Sequence, residues 1–258
     1  MNATWLRVAA VPVAVAAAGY RARALTGRGA LSAIAVGASV GKSTSWPGIL
    51  LLGTFFVSSS ALSRALPSPQ TTGKGSRRDS AQVLANGGVA AIAGLVLAGR
   101  DNGSALAAVA GSLAAATADT WATEIGGTSP SAPRQLVHRR QVEPGESGGV
   151  TPRGLLASAG GAVLIAAMAG LVFRHNAQRV FVSTAVAGMS GSLADSLAGE
   201  LLQERRYCYV CGLQTEARIH GCGSDTRHVS GVRGITNDTV NLLCTLSGGV
   251  VGFLLFRR

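Results

Sequence analysis

Apolar runs of roughly 15 to 25 residues recur along the whole chain, and a helix needs about 20 such residues to cross the hydrocarbon core of a bilayer. Short clusters rich in Arg, Gly, Ser and Pro separate them. The pattern predicts spans near 4–20, 29–45, 47–65, 80–99, 104–125, 154–173, 180–202 and 236–256. Gly37, Gly41 and Lys42 interrupt the second, which reads as a short or re-entrant segment. The first lacks the cleavage signature of a signal peptide and is read as a helix. The expected fold is therefore all-α: a polytopic transmembrane bundle of about seven or eight helices, one integral membrane domain over 1–258.

Composition agrees. Hydrophobic residues make up 47% of the chain and charged residues 14%, with a mean hydropathy of +0.33. Soluble domains carry about 25% charged residues, so a soluble globule, a disordered chain and a disulfide framework are all excluded. The 35 glycines fit membrane helices that approach closely through small residues. A net charge of +11 points to nucleic acid in a soluble protein, but no aromatic-rich basic face or nucleic-acid module accompanies it here. Instead, 16 of the 23 Lys and Arg residues fall in the loops 21–28, 64–79, 126–153 and 203–235, which share one side if all eight spans cross. Positive loops are cytoplasmic, so these loops are expected inside the cell and both termini outside.

Polar residues within or at the ends of the spans carry the chemistry, since an Asp at mid-membrane costs about 2.5–3.5 kcal/mol on insertion scales. Asp79, Gln82 and Asn86 share one helical face where the fourth span leaves its basic loop; alternatively, Asp79 is simply a helix cap. Asp119 and Glu124 close the fifth span before Gly126 and Gly127. They are about 140° apart on a helix, so they meet one ligand only if that helix end unwinds. Acids at a helix C-terminus oppose the macrodipole and call for a cation. Asp195 and Glu200 repeat the spacing in the seventh span, and Asn237, Asp238 and Asn241 open the last. Each cluster lies at the cytoplasmic end of its span. Carboxylates with amide oxygens suit Mg²⁺. Lys74, Arg77 and Arg78, with Gly73, Gly75, Ser147, Gly148 and Gly149, offer charge and backbone N–H groups to phosphates. Together they read as a phosphoryl-transfer site at the membrane surface, catalysing by positioning and charge neutralisation.

Two further motifs separate cleanly. The stretch from Gly37 through Gly41, Lys42 and Ser43 is one residue short of a phosphate-binding G-x4-G-K-[ST] loop and lacks its strand–helix context, so it is set aside. In loop 203–235, Cys208, Cys211, His220 and Cys222 supply three thiols and an imidazole, which fit either a structural Zn²⁺ or plain reduced thiols. A cytoplasmic setting disfavours disulfides. Cys244 lies within the last span as a small packing residue.

The order of these segments carries a family likeness: Ser58-Ser59-Ser60, then Asp79 to Gly88, Ala118 to Glu124, Ser147 to Thr151, Gly191 to Ser196, the Cys-x-x-Cys loop and Asn237-Asp238-x-x-Asn241. Over essentially its whole length the chain resembles the DUF92 (TMEM19-like) family of membrane proteins, whose plant members include a phytyl-phosphate kinase. The resemblance implies a kinase that passes a phosphoryl group from CTP or ATP to a prenyl monophosphate held in the membrane. Asp119, Glu124 and Asp195 would then hold the metal or phosphate end. Asn86, Asn237, Asp238 and Asn241 would complete the catalytic set, and Lys74, Arg77, Arg78, Asp79, Ser147, Gly148 and Gly149 would bind phosphate or nucleotide. An ion-coupled transporter and a nucleotidyltransferase on a lipid phosphate are the rival readings. A transport path calls for polar residues through the midplane, whereas these gather at one face.

Overall fold

The computed structural model describes residues 3–66, 77–99, 101–173 and 176–257. Among them run seven helices: α1 (Ala3–Arg21), α2 (Gly27–Ala65), α3 (Ser80–Leu97), α4 (Asn102–Gly126), α5 (Pro152–Val172), α6 (Ala177–Leu201) and α7 (Asn237–Arg257). Five of these, α2, α3, α5, α6 and α7, are long and apolar enough to cross a membrane. Their starts follow local chemistry. Thr26, Asp101 and Thr151 each accept a backbone N–H from their own first turn, and Pro152 opens α5 where its missing N–H costs nothing. Asp79 and Gln82 form a reciprocal capping box, each bond 3.0 Å, so Asp79 is occupied as the cap of α3.

The 39 residues of α2 would measure about 58 Å if straight, nearly twice the hydrocarbon thickness. The helix breaks instead at Ser45 (φ 58°, ψ −147°), just before Pro47. Beyond the break it folds back: a Cβ on Gly41 would lie 3.1 Å from Ile49 Cδ1, and at the far end the Arg64 guanidinium donates to Ala22 O. The two arms, 27–44 and 46–65, are thus the second and third spans expected from hydropathy, joined by a corner rather than a loop. The stretch resembling a nucleotide loop is helical here, with Ser43 Oγ donating to Ser39 O at 2.9 Å.

At the centre stands α4, buried continuously from Ser104 to Ala118 and packed on α2, α3, α5, α6 and α7. A helix enclosed by its neighbours packs best through small residues, and the buried stretch of α4 is made mostly of Ala, Gly and Ser with few larger side chains. Its contact with α7 is backbone against backbone, since a Cβ on Gly248 would fall 2.5 Å from Gly111 O. Gly111→Val is therefore expected to abolish monodisperse elution in detergent. Gly99→Ala, with nothing within 4 Å of its added Cβ, should elute as wild type.

Small sheets, absent from the all-helical expectation, lie in the α4–α5 and α6–α7 links. β1 (Arg134–Gln135) pairs antiparallel with β2 (Gly149–Val150). β3 (Arg205–Cys208) is the centre of an antiparallel sheet with β4 (Leu213–Thr215) and β5 (Arg227–Ser230) on its flanks. At the same end of the bundle, the α1–α2 turn clasps the segment that leads into α3. Thr26 N donates to Arg78 O at 3.0 Å, and Arg78 N donates to Ala24 O at 2.9 Å.

Candidate functional site

The ends of α3, α4, α6 and α7, with the sheets above them, surround a cavity of about 1130 Å³. Gln82 and Asn86 from α3, Asp119 and Glu124 from α4, Asp195 from α6, and Asn237 and Asn241 from α7 all line it. Gln82 with Asn86, and Asn237 with Asn241, stand one turn apart on the face that helical periodicity dictates.

Asp119 and Asp195 face each other across the α4–α6 interface, close enough to interact electrostatically. The cause lies one turn below, where Gly191 seats against Ala115 and leaves no room for a side chain. Each acid stands four residues beyond its member of that contact, so the close approach of the helices forces the carboxylates together. Two carboxylates at this range repel unless a proton or a cation lies between them. Asp195 Oδ1 and Glu124 Oε2 are buried without a hydrogen-bond partner. Buried carboxylate oxygens beside amide groups and hydroxyls form a donor set of the kind Mg²⁺ takes.

Glu124 sits on a different wall, because α4 stays wound to Gly126 instead of opening at its end. Its Oε1 accepts a hydrogen bond from Ser63 Oγ at 2.5 Å, and Arg78 is its nearby positive charge. The Arg78 guanidinium lies 5.7 Å from the centre of the Phe55 ring. Arg77 turns elsewhere: it donates to Leu25 O at 2.9 Å and covers the Tyr20 ring. Arg77, Asp79 and Asp238 are not among the residues lining the cavity, and Lys74 lies outside the described residues.

The loop carrying Ser147, Gly148 and Gly149 forms the opposite rim. Gly148 has φ +78°, and a Cβ there would strike Glu200 N at 2.5 Å, so the loop lies flat on the end of α6 only with glycine at this position. Ser147 Oγ donates to Gln203 Oε1 at 2.5 Å, and Arg205 binds both Ser147 O (3.0 Å) and Glu146 (3.2 Å). The Gly149 N–H is taken by Glu146 O at 3.1 Å. Glu200 is an anchor rather than a ligand. Its buried carboxylate accepts from Val137 N (3.0 Å), His138 N (2.8 Å) and His138 Nδ1 (2.5 Å). Glu204 anchors the base of the three-stranded sheet, and the Gly234 N–H and the Arg206 guanidinium hold its carboxyl below the usual carboxylate range. Arg205, Glu146 and Glu216, which also line the cavity, escaped the sequence reading. The run Glu204-Arg205-Arg206 directly after an apolar span was the available signal.

A narrow apolar groove runs between α1, α2 and α3, walled by Val15, Ile49, Leu52, Phe55, Phe56 and Val83 among others. Arg78, Gln82 and Asn86 line both this groove and the polar cavity. Beside the polar cavity, Cys208, Cys211, His220 and Cys222 gather in the three-stranded sheet and its turns, with all four donor atoms within 4.8 Å of one another.

This architecture defines an integral membrane helical bundle with an acid and amide cavity at one end. The family model of the integral membrane protein DUF92 matches residues 10–249, and the chain belongs to that family. Among its relatives, an uncharacterised membrane protein of Methanocaldococcus jannaschii is 33% identical over 145 residues, 56% of this chain and 49% of that protein. The chain thus aligns with about half the length of this archaeal relative. Protein PGR of Arabidopsis thaliana is 30% identical over 229 residues, covering 77% of each chain. No solved structure matches the chain.

Proposed function

We propose that the protein is a membrane kinase that transfers the γ-phosphoryl group of CTP or ATP to a prenyl monophosphate, giving the diphosphate. The observation that carries this reading is that Arg78, Gln82 and Asn86 line both an apolar groove and a polar, acid-lined cavity. A hydrocarbon tail with an anionic head suits this neighbouring pair of apolar and polar linings, and the phytyl-phosphate kinase likeness of the family points to the same molecule. Most of the basic residues lie in the loops at the cavity end, which favours a cytoplasmic opening where nucleotide arrives.

In this reading Arg78 holds the lipid phosphate at the mouth of the groove, and Glu124 with Ser63 fixes the direction of the guanidinium. A phosphate oxygen of the lipid attacks the γ-phosphorus. The new P–O bond forms as the bond from the γ-phosphorus to the β,γ-bridging oxygen breaks, and nucleoside diphosphate leaves with that electron pair. No strong base is required, since the second ionisation of a phosphate monoester lies near pH 6. Asp119 and Asp195 would hold Mg²⁺, which when bound neutralises the phosphate oxygens between which the group passes. Asn86, Asn237 and Asn241 orient the anionic chain by amide N–H donation.

The test uses purified protein in lipid with phytyl or other prenyl monophosphates, Mg²⁺ and γ-labelled CTP or ATP. Labelled lipid diphosphate with release of nucleoside diphosphate is expected. Release of pyrophosphate would convert the assignment to a nucleotidyltransferase. No product from any donor, together with ion flux in liposomes, would replace the kinase with a transporter.

A further inference from the structure

The excursion between α6 and α7 folds into the β4-β3-β5 sheet without a core of its own. Tyr209, Val210, Leu213, Ile219 and Val229 are each more than half exposed. Strands of three or four residues do not hold together in water on ladder bonds alone, and small folds that lack a core rely on disulfides or metals as staples. The four cysteines of the chain are free thiols. Within this sheet the only fully buried cysteine among the described residues is Cys208, at the end of β3. Cys211 lies in the turn to β4, and His220 and Cys222 lie in the link to β5, which the Ile219–Asp225 bridge closes.

We infer that Cys208, Cys211, His220 and Cys222 form a structural Zn²⁺ site that staples this sheet over the cavity. Cys208 Sγ is 3.7 Å from Cys222 Sγ, and His220 Nδ1 is 3.2 Å from Cys222 Sγ. Zn–S bonds of about 2.3 Å and Zn–N bonds of about 2.0 Å give tetrahedral S···S and S···N edges of about 3.8 and 3.5 Å, so these two pairs already suit one ion and the others, all within 4.8 Å, need draw in by no more than about 1 Å. Three sulfurs and one imidazole, with no carboxylate, select zinc over Mg²⁺ or Ca²⁺. A sulfur pair 3.7 Å apart is not a disulfide, whose bond is about 2.05 Å. The consequence reaches the cavity, because the same sheet supplies Arg205, Tyr207, Gln214, Thr215 and Glu216 to its rim.

The experiment measures metal in the full-length protein, purified in detergent through a chelator wash, by elemental analysis. About one zinc per chain is expected, lost in Cys208→Ser/Cys222→Ser and kept in Cys244→Ser. Replacement by Co²⁺ should give the intense visible bands of a tetrahedral thiolate site, a readout independent of activity and of any variant's folding. Stripping the metal should open trypsin cleavage at Arg218 and Arg227 while the helical bundle stays intact. Substoichiometric zinc with four titratable thiols, bound iron, or a Cys208–Cys222 disulfide found by mass spectrometry would each overturn the assignment. Unchanged cleavage after complete stripping would overturn the stapling role.

Discussion

Asp119→Asn and Asp195→Asn are expected each to lower kcat for prenyl monophosphate by about 10²–10³-fold, the range seen when one charge-stabilising group is removed from a transition-state site. The two should not add. Residues that act as a unit lose most of the effect on the first removal, and these carboxylates face each other across α4 and α6. Thermal unfolding separates this outcome from simple damage. In the wild type, Mg²⁺ should raise Tm, since a ligand that binds only the folded state stabilises it in proportion to its occupancy. Without Mg²⁺, each Asn variant should melt at or above the wild-type temperature, because a pair of like charges has been relieved. The Mg²⁺-dependent rise should vanish in both. Full activity in either variant would remove the metal pair from the mechanism, whatever its effect on Tm.

Hydropathy made the bundle legible because the bilayer imposes a length on every span. The boundary expected between spans 29–45 and 47–65 coincides with the corner of α2 at Ser45, whereas Gly37, Gly41 and Lys42, expected to interrupt the second span, lie within an unbroken helical arm. The gathering of the acid and amide clusters at one end of the bundle was legible for the same reason, since each sits at a predictable end of its span. The rotation of each helix about its own axis was not. Periodicity says that Asp119 and Thr123 share a face, but not which neighbour that face meets. The answer lies in Gly191 against Ala115, a contact between residues 76 positions apart that no local pattern announces. Asp195 and Glu200 show the limit most clearly: the same five-residue spacing as Asp119 and Glu124 yields one cavity residue and one buried anchor for Val137 and His138. The sheets were illegible because strands of two to four residues are too short to display a period of two. Arg77 and Arg78 look alike in sequence; the clasp between Ala24, Thr26 and the Arg78 backbone aims one at the cavity and the other at Leu25 O.

Gly53 offers the sharpest test of where the lipid tail runs. It stands on the second arm of α2 and lines the apolar groove, and a Cβ built there meets nothing within 4 Å. Gly53→Leu should therefore enter the groove without disturbing the bundle. Removing a glycine from a helix interior also favours folding by roughly 0.5–1 kcal/mol. Displacing two or three tail methylenes costs about 2 kcal/mol at roughly 0.8 kcal/mol each, which corresponds to about a thirtyfold rise in KM. The rise should appear with phytyl-length monophosphates and shrink to nothing with short ones, whose carbons end before Gly53, while kcat holds for both. Gly53→Ala, with a single added methyl, should leave both substrates near wild type. Equal losses on long and short chains would mean that the leucine has disturbed Arg78 and the phosphate end. An unchanged KM for long chains in a folded Gly53→Leu protein would put the tail outside this groove, leaving the acid and amide cavity without its lipid partner on this side of the bundle.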